Sequence, residues 1–324
     1  MKKIQISQCG DSKVLEYVDS EIPTPGPGQV LVKIAAAGVN FLDIYQRQGG
    51  GVYNMSLPFT PGVEGAGVVE KVGEGVSHLQ IRDSVAWAMA LGSYAEYAVF
   101  PSEKLVKVPD GIDLTIAAAA ALQGATAHYL VNSTFVIKPG HTALVHAAAG
   151  GTGNLLCQMI LAKGGKVLAT TSTDAKEKII RETGVTEVIR YDSASVKDEV
   201  KRITGGAGVD VVYDGVGKAT FDESLASLKP RSMMVLFGAA SGQVPAFDLQ
   251  RLNASGSLFI TRPTLGHYVA TKEELDMRLG EVFASISSGS LQVRIGKKYP
   301  LHEAARAQDD LAGRGTVGKL VLEI

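Results

Sequence analysis

The 324 residues carry 45% apolar and 20% charged side chains and a formal net charge of −1. That is the balance of a globular chain too long for one ordinary core, so two domains are expected. No block of like charge occurs, which speaks against a constitutive nucleic-acid or membrane surface. Cys9 and Cys157 lie far apart and form no metal-ligand pair; this speaks against a disulfide framework and fits a reducing cytoplasm.

The N-terminus opens with two lysines but has no apolar core behind them, so no signal peptide is expected. The first third reads as β-rich. "VLVKIAAAGV" (Val30–Val39) is a near-continuous apolar strand entered through "PTPGPG". "GAGVVEKVGEGV" and "DSVAWAM" follow with glycine punctuation, and "GSYAEYAVFP" (Gly92–Pro101) alternates with the two-residue period of a half-buried strand. This predicts a small barrel-like domain, antiparallel or mixed. No eighteen-residue apolar run is evident. The nearest, "IAAAAALQGATAHYLV" (Ile116–Val131), is interrupted by Gln123, Gly124 and His128 and is expected to be a buried helix, not a membrane span.

From about residue 125 strands and helices alternate. "TALVHAA", "KVLATTS", "TEVIRYD", "VDVVYDGVG", "SMMVLFGAASG" and "SLFITRP" are six apolar strands. The helices between them include "GNLLCQMILAKGG", "DAKEKIIRETG", "SVKDEVKRITGG" and "TFDESLASLKP". The pattern predicts an α/β fold with one doubly wound parallel sheet. After Pro263 an amphipathic helix, "KEELDMRLGEVFASISSG", and a last strand, "GKLVLEI", are expected to return to the first domain. The boundaries so read are 1–124 completed by 264–324, and 125–263 between them.

Between the first strand and first helix of that sheet stands "HAAAGGTG" (His146–Gly153). Aligned to the G-x-G-x-x-G fingerprint it has alanine, Ala148, at the turn glycine. Gly150 is where the backbone approaches a pyrophosphate, and Gly153 is where helix packs on strand. In this context the turn is expected to bind a dinucleotide at the helix N-terminus. The second strand ends "ATTSTDAK": Thr171 and Ser172 stand where an acid would hold the ribose of NAD, and Lys176 follows. Hydroxyls with an ammonium suit a 2′-phosphate, and Tyr191 at the end of the third strand borders the same place, so NADPH is favoured over NADH. The other reading of Lys176 is a solvated helix lysine. His146 and His128 have no cysteine or acid at ligand spacing and read as core histidines. Asp214 falls at the carboxyl end of the fourth strand, where open sheets of this kind bind ligands.

These stretches resemble the zinc-type alcohol dehydrogenase superfamily of medium-chain dehydrogenases. "GVNFLDIYQRQG", "LPFTPGVEGAGVVEKVG", "HAAAGGTG", "VVYDGVG" and "ITRPTL" are closest to its quinone oxidoreductase (zeta-crystallin-like) branch. Where the zinc enzymes carry a catalytic cysteine and histidine, this chain has Asn40 and Val63, and the structural-zinc lobe is absent. Valine cannot ligate zinc, and a catalytic zinc needs about three protein ligands, so no metal site is expected. The resemblance implies a GroES-like, β-rich barrel beside the Rossmann sheet, a homodimer or homotetramer, NADPH, and hydride transfer to quinones in the cleft between the domains. It places Asn40, Gly150, Gly151, Ser172, Lys176, Tyr191, Phe237, Gly238, Arg262 and Thr264 along the cofactor, to which we add Thr126, Thr152, Thr171 and Gly215. Gln123 and Gly215 depart from the lysine and serine common in that branch.

A quinone accepts hydride without a metal, which leaves the protein positioning and water exclusion. Asn40, Tyr45 and Tyr53 are the candidates beside nicotinamide and substrate. Each keeps a second reading: Asn40 as the cap of the following helix, the tyrosines as packing groups. Asp43 reads foremost as a helix-start acid. Two other functions stay open: an NADPH-dependent reductase of enone or alkenal double bonds, and a structural or AU-rich RNA-binding protein as some zeta-crystallin relatives are.

Overall fold

A computed structural model describes residues 1–324 and divides into two compact units, Met1–Ala125 with Tyr268–Ile324, and Thr126–His267. The crossings fall one and four residues beyond those read from the sequence. The return is delayed because a short helix, Leu265–Tyr268, follows the last strand of the second unit.

In chain order the strands of the first unit are β1 (Lys2–Gln5), β2 (Glu16–Asp19), β3 (Gln29–Val39), β4 (Glu64–Val72), β5 (Ser84–Ala88), β6 (Tyr97–Pro101) and β7 (Val106–Lys107). The second unit holds β8 (Thr142–Val145), β9 (Lys166–Thr171), β10 (Glu187–Arg190), β11 (Val209–Asp214), β12 (Leu228–Leu236) and β13 (Phe259–Thr261). The tail adds β14 (Ile295–Pro300) and β15 (Lys319–Glu323) to the first unit. The helices are α1 (Phe41–Gln48), α2 (Leu114–Tyr129), α3 (Gly151–Ala162), α4 (Asp174–Arg181), α5 (Val196–Ile203), α6 (Phe221–Ala226), α7 (Gln250–Ala254), α8 (Leu265–Tyr268), α9 (Lys272–Ser287) and α10 (Ala304–Ala312).

The first unit is a mixed sheet, β14-β15-β3-β4-β5-β7, with β6 also paired to β3. β3 explains its own near-continuous apolar sequence. β4 covers one edge, while β6 and β15 share the other, β6 on Gln29–Lys33 and β15 on Ala36–Val39. A strand covered along both edges and packed on its faces has little use for polar residues. Two irregularities in the β3–β4 register bend the ribbon, as barrel closure requires. Two cores result, one around Trp87, Phe100, Val32 and Val85, the other around Tyr94, Tyr299, Val39 and Leu322. The predicted strand Gly92–Pro101 keeps regular pairing only over Tyr97–Pro101, because its first half bonds elsewhere: Tyr94 N–H donates to Pro61 O and its carbonyl accepts from Ile4.

The second unit is a six-stranded, all-parallel sheet in the order β10-β9-β8-β11-β12-β13, with the strand order reversing at β8. This is the doubly wound arrangement, and Leu144, Leu168, Val212 and Met234 centre its core. The helix expected over Thr220–Pro230 stops at Ala226, since Leu228 pairs with Val209 and opens β12.

α2 runs on through a wider π turn over Leu130–Thr134. By length and composition Leu114–Thr134 could cross a membrane, a stretch that the sequence reading passed over by stopping at its polar interruptions. Within the protein 72% of its apolar window is buried, which marks a core helix.

Candidate functional site

Nearly every residue singled out in the second unit lies just beyond the carboxyl end of a sheet strand. Gly150, Gly151 and Thr152 follow β8, Thr171 and Ser172 close β9, and Tyr191 follows β10. Gly215 follows β11, Phe237 and Gly238 follow β12, and Arg262 and Thr264 follow β13. Lys176 stands one turn into α4, and Thr126 is buried on α2. The loop geometry is fixed from below by Asp214. Its carboxylate accepts from Val216 N (2.8 Å), Gly217 N (3.0 Å), Thr220 Oγ1 (2.7 Å) and Ser224 Oγ (2.8 Å). Phe237 N–H donates to the Asp214 carbonyl at 2.8 Å, tying the end of β12 to that of β11.

The turn after β8 differs in one detail from the fingerprint alignment. The left-handed residue is Ala147 (φ +51°), one position before Ala148. Gly153 is there for closeness: a side chain on it would sit 2.5 Å from the Ala147 carbonyl oxygen and 2.8 Å from Ala148 Cα. α3 can therefore start hard against β8. Its N-cap, Gly150, has no side chain to cap the helix, so the first-turn N–H groups remain open to an anion. At the end of β9 the Thr171 hydroxyl is buried without a hydrogen-bond partner. Tyr191 stands half exposed beside it, its N–H on the Thr171 carbonyl at 3.1 Å. Open amides and an orphan hydroxyl along one sheet edge are what a dinucleotide's pyrophosphate and ribose require.

His146 reads as expected of a core histidine. Nδ1 lies 3.1 Å from Thr170 Oγ1 and Nε2 lies 3.0 Å from Ser224 Oγ. Because the Ser224 hydroxyl donates to Asp214, it accepts from Nε2–H, which leaves Nδ1 to accept from Thr170. The ring is thereby held neutral, and burial pushes its pKa below the usual histidine range.

In the first unit, Asn40 occupies the N-cap position of α1, but its side chain does not cap the helix. Its amide donates to Glu64 Oε2 (2.9 Å) and Gly38 O (3.2 Å) and accepts from Lys319 Nζ (2.7 Å). Lys319 and Glu64 form a wholly buried ion pair at 2.6 Å, and Glu64 Oε1 accepts from Leu122 N at 2.5 Å. Gly38 leaves room for the pair, since a side chain there would overlap both Glu64 and Lys319. Asp43 caps Asn40 N at 2.8 Å and accepts from the Tyr94 hydroxyl at 2.9 Å. Its other oxygen is buried without a partner, and burial raises its carboxyl to about 7 against the pull of these donors. Asn40 is thus held in a buried network, with both amide hydrogens engaged and one lone pair of its oxygen taken by Lys319. Val63 is buried, and no group of three or more His, Cys, Asp or Glu side chains is placed to hold a metal ion.

Tyr45 and Tyr53 meet ring to ring with centroids 5.1 Å apart, and Phe41 joins Tyr45 at 6.2 Å. They form a partly exposed aromatic face along α1. Glu64, Lys319 and Arg190 are the residues that sequence reasoning missed. The first two left a trace, each a charge that opens a strand with an apolar or glycine-rich run directly behind it.

Comparison with known proteins places this geometry. Residues 26–110 match the family model described as "Alcohol dehydrogenase GroES-like domain", and residues 151–276 match "Zinc-binding dehydrogenase". The chain is 43% identical over 323 residues to the quinone oxidoreductase of Pseudomonas aeruginosa, covering 99% of each chain. It is 41% identical over 318 residues to the 2-haloacrylate reductase of a Burkholderia species, covering 96% of this chain and 95% of that protein. The structure of Escherichia coli quinone oxidoreductase complexed with NADPH superposes with a TM-score of 0.97 at 39% identity, covering 100% of both chains.

Proposed function

The chain belongs to the quinone oxidoreductase family, and from that premise we propose that it transfers hydride from NADPH to quinones without zinc, as a homodimer or homotetramer. The observation that carries the reading is the carboxyl edge of the parallel sheet, where the uncapped start of α3 stands beside the orphan Thr171 hydroxyl with no acid at the end of β9. When bound there, NADPH supplies the hydride and with it both electrons.

The chain's own residues then have definable tasks. The first-turn N–H groups of α3, at Gly151, Thr152 and Gly153, bind the pyrophosphate. Thr171, Ser172, Lys176 and Tyr191 take the adenosine end with its 2′-phosphate, while Thr126, Gly215, Phe237, Gly238, Arg262 and Thr264 complete the edge. Tyr45 and Tyr53, tilted 43° to each other, offer aromatic faces on either of which a quinone ring can stack. Asn40, Glu64 and Lys319 hold the start of α1 and so keep those faces in place. With Asn40 and Val63 where zinc ligands would stand, no metal polarises the carbonyl, and a quinone is electrophilic enough to do without. The reduced oxygens take their protons from water. The short edge strand β13, with Phe259 exposed, supports pairing between subunits, and the free thiols of Cys9 and Cys157 fit the cytoplasm.

A second reading, reduction of an activated carbon–carbon double bond, is favoured by the likeness to 2-haloacrylate reductase. It requires an oxyanion partner and a proton donor, and Tyr53 or Asn40 would have to serve. Consumption of NADPH with 1,4-naphthoquinone, measured against an alkenal and against NADH, separates them. The quinone reading expects fast turnover with naphthoquinone and NADPH; turnover confined to the alkenal would replace it.

A further inference from the structure

Arg190 closes β10 and lies in register with Thr171, the last residue of β9. Its guanidinium reaches across the carboxyl edge to the start of α4. Nε and Nη2 form a bidentate fork on Asp192, at 3.0 and 2.8 Å, and Nη2 also donates to the Ser172 carbonyl at 3.3 Å. The remaining nitrogen, Nη1, holds the Asp174 carboxylate, with Glu177 3.8 Å away. Arg190 therefore sits between Ser172, Tyr191 and the first turn of α4, in the place assigned above to the 2′-phosphate. Asp174, by contrast, is 97% exposed and anchored by little else.

Arginine stays charged and holds its donors in a fixed plane, so with Nε and Nη2 engaged by Asp192 the Nη1 hydrogens keep a set direction toward an anion. The Asp192 fork fixes the plane of the guanidinium and leaves the Nη1 edge turned outward. Asp174 now fills that edge with a single negative charge, in an exposed ion pair of the kind that exchanges at small cost. We propose that Arg190 is the residue that discriminates NADPH from NADH, and that Asp174 is a built-in stand-in for the 2′-phosphate which the cofactor displaces. Lys176 supplies a second charge without a fixed donor plane. This rests on the cofactor assignment made above and adds to it a reader and an internal competitor. The competitor lowers the affinity for the phosphorylated cofactor and makes its release easier.

Two fragments test the proposal without turnover: adenosine 2′,5′-bisphosphate, which carries the 2′-phosphate, and 5′-AMP, which lacks it. Calorimetric titration of each into the wild-type protein, Arg190→Leu and Asp174→Asn reads the effect directly. Arg190→Leu is expected to lose about tenfold or more in affinity for the bisphosphate, the loss of one or more charge-assisted bonds, with 5′-AMP unchanged. Asp174→Asn, a surface change that leaves folding undisturbed, is expected to bind the bisphosphate several-fold more tightly. Equal weakening of both fragments by Arg190→Leu would make the arginine a loop support and overturn the proposal. So would a loss of bisphosphate affinity in Asp174→Asn, which would mean that Asp174 holds the arginine in place instead of competing for it. If the wild-type protein bound neither the bisphosphate nor NADPH itself, the cofactor assignment would fall, and this proposal with it.

Discussion

Asp43 shows how one side chain can set a measurable property of the whole chain. Its carboxyl, an unexceptional helix-start acid by sequence, is buried and pushed up to about 7. Between the ordinary aspartate pKa near 4 and that value, the native state holds a proton that the unfolded chain has released. The stability from this group is therefore full below pH 4, falls as pH rises, and is gone above about 7. Asp43→Asn removes the dependence while keeping an oxygen for Asn40 N and Tyr94. The melting temperature of the variant relative to wild type should climb by several degrees from pH 4 to 7 and then level off; a difference that stays constant across this range would refute the burial argument. His146, whose depressed pKa works in the opposite sense, is common to both proteins and cancels. Burial at residue 43 was not legible in the sequence, because a first-turn aspartate looks the same whether water or Tyr94 faces it.

At the scale of elements, the last strand matters more than its length suggests. β15 reaches β3 from nearly three hundred residues away in sequence, and Lys319 carries the joint into the interior by pairing with Glu64 of β4 and Asn40 before α1. Removing one partner of such a pair strands the other without water, at a cost of about 3–5 kcal/mol. Lys319→Met is thus expected to lower the urea midpoint by that equivalent, and the double change with Glu64→Gln to recover most of it. A loss below about 1 kcal/mol would mean that Glu64 finds another donor or takes up a proton. The sequence marked β15 as a strand and expected its return, since apolar alternation is local. It was silent on the partner of Lys319, which only the strand pairing decides. The same limit applies to Arg190, where the strand end was legible but not the acids gathered round it. The turn after β8 was legible in composition and displaced by one residue in geometry, with Ala147 taking the left-handed conformation.

For the molecule as a whole, the alternation of strands and helices carried the doubly wound unit, down to its six strands, because βαβ grammar is written in local periodicity. The β-rich unit was less legible. β1, β2 and β14 are short and rich in polar residues, so no apolar periodicity marks them. The chemical reading rests on the two kinds of residue the fold sets out: open amides and hydroxyls along the sheet edge, and a buried ion pair with the Asn40 amide at the start of α1. The claim that hydride reaches a quinone with no metal in attendance is tested most directly by one assay. Protein is dialysed exhaustively against a chelator, its residual metal is quantified, and the rate of NADPH oxidation by 1,4-naphthoquinone is compared with that of untreated protein. An unchanged rate at negligible metal content is the expected result. Loss of activity on chelation, restored by stoichiometric zinc, would contradict it.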